Sequence, residues 1–307
     1  VLNKKGVENP DEDSRVSKRQ LKGIMVRYSY FEDKSVVYLY VKDEELKLDA
    51  GDFFDPELMK GMYVYYSTKK SPAYVQTSLV SWVGEKDLIE ELKIDQSKNT
   101  LGGLNLNSNQ ANKEASLESA KEVKESSKKY IFPSEGFFQI NIPIVEKFLN
   151  EAKEELSKLP KDSREVLVDL YAGVGTIGIF VGELFNKVIG VEYFPGSKAY
   201  ALQNAKNNNI QNYDFFEARS EDANLSSLLT NNALLFLDPP RAGCVQKVID
   251  EILQSQPEYI FYLSCNPETQ TRDISLLSGK YKVIHSKDYD FFPNTNHLER
   301  FAILKRI

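Results

Sequence analysis

Cys265 closes the apolar run "YIFYLSC" and is one of only two cysteines in 307 residues. A cysteine there is ordinarily inert packing, but over the ligand end of a sheet its thiolate is a nucleophile. Further on, "DFFPNTNHLER" gathers Asp290, Thr295, His297 and Glu299 in one turn-bearing stretch. Taken alone, these read as solvated polar residues. "LLFLDPPRAGC" sets Asp238-Pro239-Pro240-Arg241 after another apolar run. Each proline ring locks φ and removes a donor, so the pair ends a strand and fixes a rigid turn. Arg241 suits an anionic oxygen of a ligand as well as a structural ion pair. Cys244 comes where a helix should begin, and packing is its expected role.

"YAGVGTIGIF" carries Gly173-x-Gly175-x-x-Gly178 directly after the strand-like "VLVDL". That spacing allows a tight strand-to-helix turn and close approach of backbone to a nucleotide-like ligand. Glu192, about 20 residues on, could accept hydrogen bonds from both hydroxyls of a ribose. NAD and S-adenosylmethionine share that ribose, so the turn alone does not choose between them.

The elements that must hold these residues alternate. Pro143 opens an amphipathic helix whose Ile144, Val145, Phe148, Leu149, Ala152 and Leu156 share a face. Next come "VLVDL", a helix from about Thr176, "KVIGVE", a helix from about Pro195 to Asn208, "YDFFEA", "ALLFLD", a helix near 245–254, "YIFYLSC", and a closing pair of strands. This reads as a doubly wound, Rossmann-like α/β sheet with an antiparallel hairpin at its end. Ligands of such sheets lie beyond the carboxyl ends of the strands. Asp169 to Gly175, Glu192, Asp238 and Cys265 are all expected there, each directly after a strand.

Upstream, residues 1–14 are expected to be a loose lead-in, and 15–94 a smaller N-terminal β-rich (α+β) domain. Its strands are "LKGIMVRYSY", "SVVYLYVKDE", "GMYVYYST" and "AYVQTSLVSW", and a charged helix, "EKDLIEELKI", closes it. Its tyrosines are expected to pack on the sheet rather than to stack on bases. Residues 95–129 have no aromatic residue and read as a low-complexity insertion or linker. The glycine turn and the residues around it fall in a catalytic domain over 130–307.

The content is 41% hydrophobic and 27% charged, with a net charge of −6. That is a soluble globular composition, it argues against coating nucleic acid through a global field, and no apolar run reaches the ~20 residues of a membrane span. Two cysteines exclude a cysteine-ligated zinc or iron–sulfur cluster within the chain and point to a reduced, cytoplasmic protein. The chain starts at Val1 rather than at Met, so an upstream module is left open.

Taken in order, "FFQIN", "DLYAGVGTIGIF", "GVE", "LDPPRAGC", "SCNPET" and "FFPNTNHLE" resemble the RNA uridine-C5 methyltransferases, which form 5-methyluridine in transfer RNA or 23S ribosomal RNA. The likeness is close over 130–307, while 15–94 resembles the family's central domain more weakly. It implies S-adenosylmethionine as methyl donor, contacted by Gln139, Tyr171, Gly173, Gly175, Thr176, Glu192 and Asp238. It implies Cys265 as nucleophile and Glu299 as base, with no metal, and Arg241, Asn266, Thr295 and His297 as contacts to the substrate. The partner would be a structured RNA with its target uridine flipped out, met by a monomer away from any membrane.

Phe137, Phe138, Phe291 and Phe292 are candidates for stacking on the extruded base, with at least half expected in the core. Arg15, Lys18, Arg19 and Lys22 would meet phosphates or form a solvated face. The chain departs from the family pattern in lacking the cysteine cluster of some members, in showing no N-terminal β-barrel module, and in the stretch 95–129. Those departures leave the RNA target open. Two rivals stand: a catalytically silent RNA-binding protein of the same fold, and an N-methyltransferase acting through Asp238-Pro239-Pro240-Arg241, which needs no cysteine.

Overall fold

The apolar runs become the strands of two larger sheets in the computed structural model, which describes residues 21–43, 48–68, 78–95, 126–229 and 232–307. Two compact units result: Val1–Glu90 with Ile131–Phe137, and Glu91–Tyr130 with Phe138–Ile307. Arg15, Lys18 and Arg19, the lead-in 1–14 and nearly all of the stretch 95–129 lie outside the described residues. No helix among the described residues is long and apolar enough to cross a membrane.

The first unit is built on β1 (Leu21–Ser29), β2 (Lys34–Val41), β3 (Met59–Tyr66) and β4 (Ser78–Gly84), hydrogen-bonded in that order. β2 and β3 run parallel; the outer pairs are antiparallel. Strand alternation puts Leu39, Val41, Met62 and Val64 on one face, packed with Ala50, Phe53 and Phe54. The opposite face buries Tyr38, Tyr40, Tyr63 and Tyr65 as a stacked ladder, Tyr38 to Tyr63 at 5.5 Å between ring centroids. Packing is thus the role of these four, whereas Tyr28 and Tyr30 are exposed. Lys22 donates to Ser67 Oγ and to the carbonyl of Thr68.

The segment expected as a closing helix is a strand, β5 (Asp87–Ile94), paired with β6 (Ser126–Pro133). Leu88 and Leu92 fit either periodicity; Glu90 decides. It is buried with Leu88, Leu92 and Ile94 at every second position, and its carboxylate accepts from the backbone N–H groups of Tyr30 and Phe31. A buried carboxylate with two such donors offsets part of its desolvation, and its pKa still rises. Only a strand delivers Glu90 to that turn. β6 takes in residues 126–129, which the sequence reading placed in the insertion.

The second unit contains α1 (Ile142–Lys158) and a seven-stranded sheet. Its strands are β7 (Val166–Leu170), β8 (Lys187–Glu192), β9 (Tyr213–Glu217), β10 (Ala233–Leu237), β11 (Tyr259–Ser264), β12 (Tyr281–Tyr289) and β13 (Glu299–Arg306). The order is β12-β13-β11-β10-β7-β8-β9, with β7 to β11 all parallel and β13 antiparallel to both its neighbours. Helices α2 (Thr176–Val181), α3 (Ser197–Asn207), α4 (Leu225–Leu228), α5 (Gln246–Ser255) and α6 (Pro267–Leu277) fill the crossovers. The sequence pattern did not call for α6, which Pro267 opens behind the capping side chain of Asn266.

Both faces of the sheet are covered, so the central strands are apolar apart from Asp169 in β7. One face carries Val168, Leu170, Leu235, Leu237 and Tyr262 against Val248, Ile249 and Ile252 of α5. On the other, Phe148 of α1 meets Phe236, Tyr289, Phe291 and Phe301 edge-on at 5.3–6.4 Å. Strand order reverses between β7 and β10, and the crevice outside their carboxyl ends is where such sheets hold ligands.

Candidate active site

β7 leads into a turn of unusual backbone. Tyr171 has φ 70, Gly173 φ 55 and Gly175 φ 85. A positive φ on tyrosine is strained, and strain of this kind concentrates at binding sites. The turn is tied to the next strand, since the N–H groups of Tyr171 and Ala172 both donate to the carbonyl of Val191. Gly175 admits no side chain: a Cβ there would lie 2.8 Å from the buried hydroxyl of Tyr213. At Gly173 a Cβ would meet nothing within 4 Å, so the turn opens outward there. Thr176 starts α2, and its carbonyl accepts from the Tyr130 hydroxyl.

Glu192 ends β8 beside that opening. Its carboxylate accepts from the backbone N–H of Gly173 at 3.2 Å and from those of Tyr193 and Phe194 at 2.7 and 2.9 Å. A cleft of about 220 Å³ adjoins it, lined by Tyr171, Glu192, Tyr193 and the segment Ala218 to Glu221. That is below the roughly 300–1,000 Å³ typical of drug-sized ligand pockets, so it takes one end of such a ligand. The cleft's lining from Tyr193 and Arg219, whose guanidinium lies 4.5 Å from the tyrosine ring centroid, was not legible in the sequence.

The second half of the site forms at the tips of β10, β11 and β13. Ser264 pairs with Arg300 at the end of the β11–β13 ladder, and the next residues along are Cys265, just past β11, and Glu299, the first residue of β13. Asp238 comes directly after β10, its N–H donating to the carbonyl of Leu170 across the switch point. Arg241 is exposed and reaches both ring nitrogens of His297, at 2.5 and 3.0 Å. Thr295 sits in the same turn, its hydroxyl donating to the carbonyl of Phe292 and accepting from the N–H of His297. Gln139 is half-buried just ahead of α1, in a segment that Asn141 fastens to the carbonyl of Phe291.

The cluster is crowded with carboxyl groups, three of them pushed toward their neutral forms. Burial pushes Glu299 up to about 7, with Arg241 opposing, and its Oε2 is buried without a partner. Asp238 is held well above the usual carboxylate range by burial and by Glu299, Asp169 and Glu192. Asp169 was expected just beyond its strand; it lies inside β7, fully buried, with Oδ2 accepting from the Gly178 N–H and Oδ1 unpartnered. It too is raised, to about 7. Four carboxyl groups clustered in this way favour a cationic ligand, such as a sulfonium with an ammonium, over the anionic pyrophosphate of a dinucleotide.

The Cys265 thiol is half-buried and pushed up by burial, Glu299 and Asp238, while a hydrogen bond and the charge of Arg241 pull it down. Cys244 is buried in the core, its thiol raised to about 12. Asn266, expected to meet substrate, caps α6 by accepting from the N–H of Glu268 and donates to the carbonyl of Arg241. Of the four phenylalanines, Phe138 and Phe291 are buried, Phe292 is half-buried and Phe137 is 66% exposed. Among the described residues, no three His, Cys, Asp or Glu side chains are grouped as metal ligands.

The family model described as tRNA (uracil-5-)-methyltransferase matches residues 86–307. The chain belongs to this family. Among its relatives, an RNA methyltransferase of Bacteroides thetaiotaomicron is 41% identical over 145 residues, covering 46% of this chain and 32% of the relative. The tRNA (uracil(54)-C(5))-methyltransferase of Schizosaccharomyces pombe is 34% identical over 189 residues, covering 58% and 36%. The chain therefore spans about a third of the length of these curated relatives. The fold is shared with the Pyrococcus abyssi tRNA (uracil-54, C5)-methyltransferase solved with S-adenosyl-L-homocysteine, at TM-score 0.67 and 23% identity, over 93% of this chain and 60% of that one. Within the tRNA (uracil-5-)-methyltransferase family match lie Gln139, both glycines of the turn, Glu192, Asp238, Cys265 and Glu299.

Proposed function

We propose that this chain methylates carbon 5 of a uracil in RNA, using S-adenosylmethionine. The observation that carries this reading is the juxtaposition of Cys265, the residue after β11, with Glu299, the first residue of the neighbouring β13, a nucleophile near a carboxyl whose pKa lies near neutrality. The names of the uracil-54 relatives favour transfer RNA as the substrate class, with 23S ribosomal RNA the alternative.

The donor fits the site. Glu192 and the cleft beside Tyr171 would hold its nucleoside end, and Gly173 leaves the backbone open to it. The carboxyl groups of Asp169, Asp238 and Glu299, held toward their neutral forms by burial and by one another, would ionise beside its positive charges. When bound, S-adenosylmethionine supplies an electrophilic methyl group.

The protein's own residues do the rest. Carbon 5 of uracil is a weak nucleophile until a thiolate adds at carbon 6 and leaves an enolate that concentrates charge on carbon 5. Cys265 makes that bond, with the Arg241 guanidinium favouring its ionised form. After methylation, Glu299 receives the proton from carbon 5, and the carbon–sulfur bond breaks as the ring double bond returns. A carboxyl titrating near 7 is matched to this task at neutral pH. Thr295 and His297, exposed beside Arg241, are the proposed contacts to the extruded nucleotide.

The experiment is nucleoside analysis of unmodified transfer RNA and 23S ribosomal RNA transcripts after incubation with purified protein and S-adenosylmethionine. 5-Methyluridine in one of them is the expected product. A protein that binds these RNAs and leaves every uridine unmethylated would be the silent member of the fold.

A further inference from the structure

Helix α6, which begins two residues after Cys265, holds the loop that carries Arg241 by a set of polar contacts that the reaction itself does not use. Thr269 Oγ1 and Asn266 Nδ2 both donate to the carbonyl of Arg241, at 3.1 and 3.2 Å. One helical turn on, Arg272 Nη2 donates to the carbonyls of Ala242 and Cys244, at 3.0 and 3.2 Å. Asp273 is fully buried; its Oδ2 accepts from the Cys244 N–H at 2.8 Å and from the Tyr262 hydroxyl at 2.6 Å, and its Oδ1 pairs with Arg272.

The loop is shaped for this grip. Gly243 has φ 76, and a Cβ there would lie 2.6 Å from Arg272 Nη2 and 2.7 Å from Asp273 Oδ2. A buried carboxylate is strongly disfavoured unless it is paired and hydrogen-bonded. Asp273 is both, and every one of its partners bears on the Arg241 loop or on β11.

We propose that Arg272 and Asp273 are positioning residues, clamping residues 241–244 so that the Arg241 guanidinium stays against the Cys265 thiol. The inference rests on Cys265 as the nucleophile of the proposed reaction. The charged and titratable groups facing that thiol are Glu299 from β13, and Asp238 and Arg241 from the loop after β10, with His297 in contact with Arg241. Arg241 alone of these favours the thiolate by charge and hydrogen bond, while the carboxyl groups oppose it. A loop released from α6 lets the guanidinium swing to solvent and leaves the opposing carboxyl groups in place.

The test is the pH profile of alkylation of the full chain by iodoacetamide, with Cys265 modification read by mass spectrometry. Cys244 does not interfere, since burial raises its thiol to about 12. Arg272→Ala, on a half-exposed side chain, and Asp273→Asn are each expected to move the midpoint up by about one unit and to slow alkylation at neutral pH about tenfold, in step with the thiolate fraction. Arg241→Ala should give a shift of the same size. Combined with Arg272→Ala it should add little, because both act through one guanidinium. An unchanged profile in Arg272→Ala overturns the clamp, and so does a shift that adds in full to that of Arg241→Ala. Should Asp273→Asn fail to fold, Arg272→Ala still decides. Alkylation needs neither RNA nor methyl donor, so a parent protein that transfers no methyl group refutes the proposed function while this profile still judges the clamp.

Discussion

Cys265→Ala is expected to abolish methyl transfer, by on the order of 10⁴-fold or more, together with any covalent link to RNA, because the adduct at carbon 6 never starts. Glu299→Gln should part company with it. The thiol still adds and carbon 5 still takes its methyl group, but the proton on carbon 5 finds no base. Elimination stalls, and methylated RNA stays attached through sulfur. The product is a protein–RNA species that survives denaturing electrophoresis and carries label from the donor methyl group. Normal turnover by Glu299→Gln would place the base elsewhere, with Asp238 the neighbouring carboxyl to examine. Methylation at carbon 5 by Cys265→Ala would end the covalent mechanism.

The same glutamate is expected to weaken the fold at the pH where it works. Its carboxyl titrates at about 7 in the folded chain against 4.5 when exposed. Below the lower value both states are protonated and nothing is lost. Between the two, the unfolded chain ionises while the folded one stays neutral, so stability falls as pH rises and the loss is complete above 7. At 1.36 kcal/mol per unit this amounts to about 3 kcal/mol. Glu299→Gln removes the titration, and its unpaired amide returns about 1–3 kcal/mol of that as a buried donor. Denaturant unfolding should therefore show the variant gaining on the parent by about 3 kcal/mol between pH 4.5 and pH 8. A difference that stays constant with pH would mean that the carboxyl is not held neutral by burial. Asp169→Asn should trend the same way, since Asp169 is raised from 3.8 to about 7. Carrying such a group at the start of β13 is the usual exchange of stability for activity.

The seven-stranded sheet was legible because its strands are near-continuous apolar runs and its special residues sit where those runs stop. "ALLFL" and "YIFYL" can only be buried on both faces, and the residues just past each run must lie at the ligand end. β5 was misread because Leu88 and Leu92 satisfy both periods, and the residue that separates them, Glu90, is a charge whose burial depends on backbone donors 60 positions away. The burial of Asp169 and the clamp of Arg272 and Asp273 were not legible for a related reason. An acidic residue in a sequence carries no mark of whether it will be solvated or buried, and only the folded chain shows Asp273 receiving the Cys244 N–H and the Tyr262 hydroxyl. α6 did carry a local signal, Asn266-Pro267, an N-cap with proline behind it, but its apolar face is too sparse to announce a helix by periodicity.

Release of hydrogen from carbon 5 tests the central claim most directly. RNA carrying tritium at carbon 5 of its uracils, incubated with the protein and S-adenosylmethionine, should lose one tritium to water for every methyl group gained, and Cys265→Ala should lose none. Methyl transfer that leaves the tritium in place would assign the methyl to a nitrogen or to another base and would contradict the reaction proposed for Cys265 and Glu299.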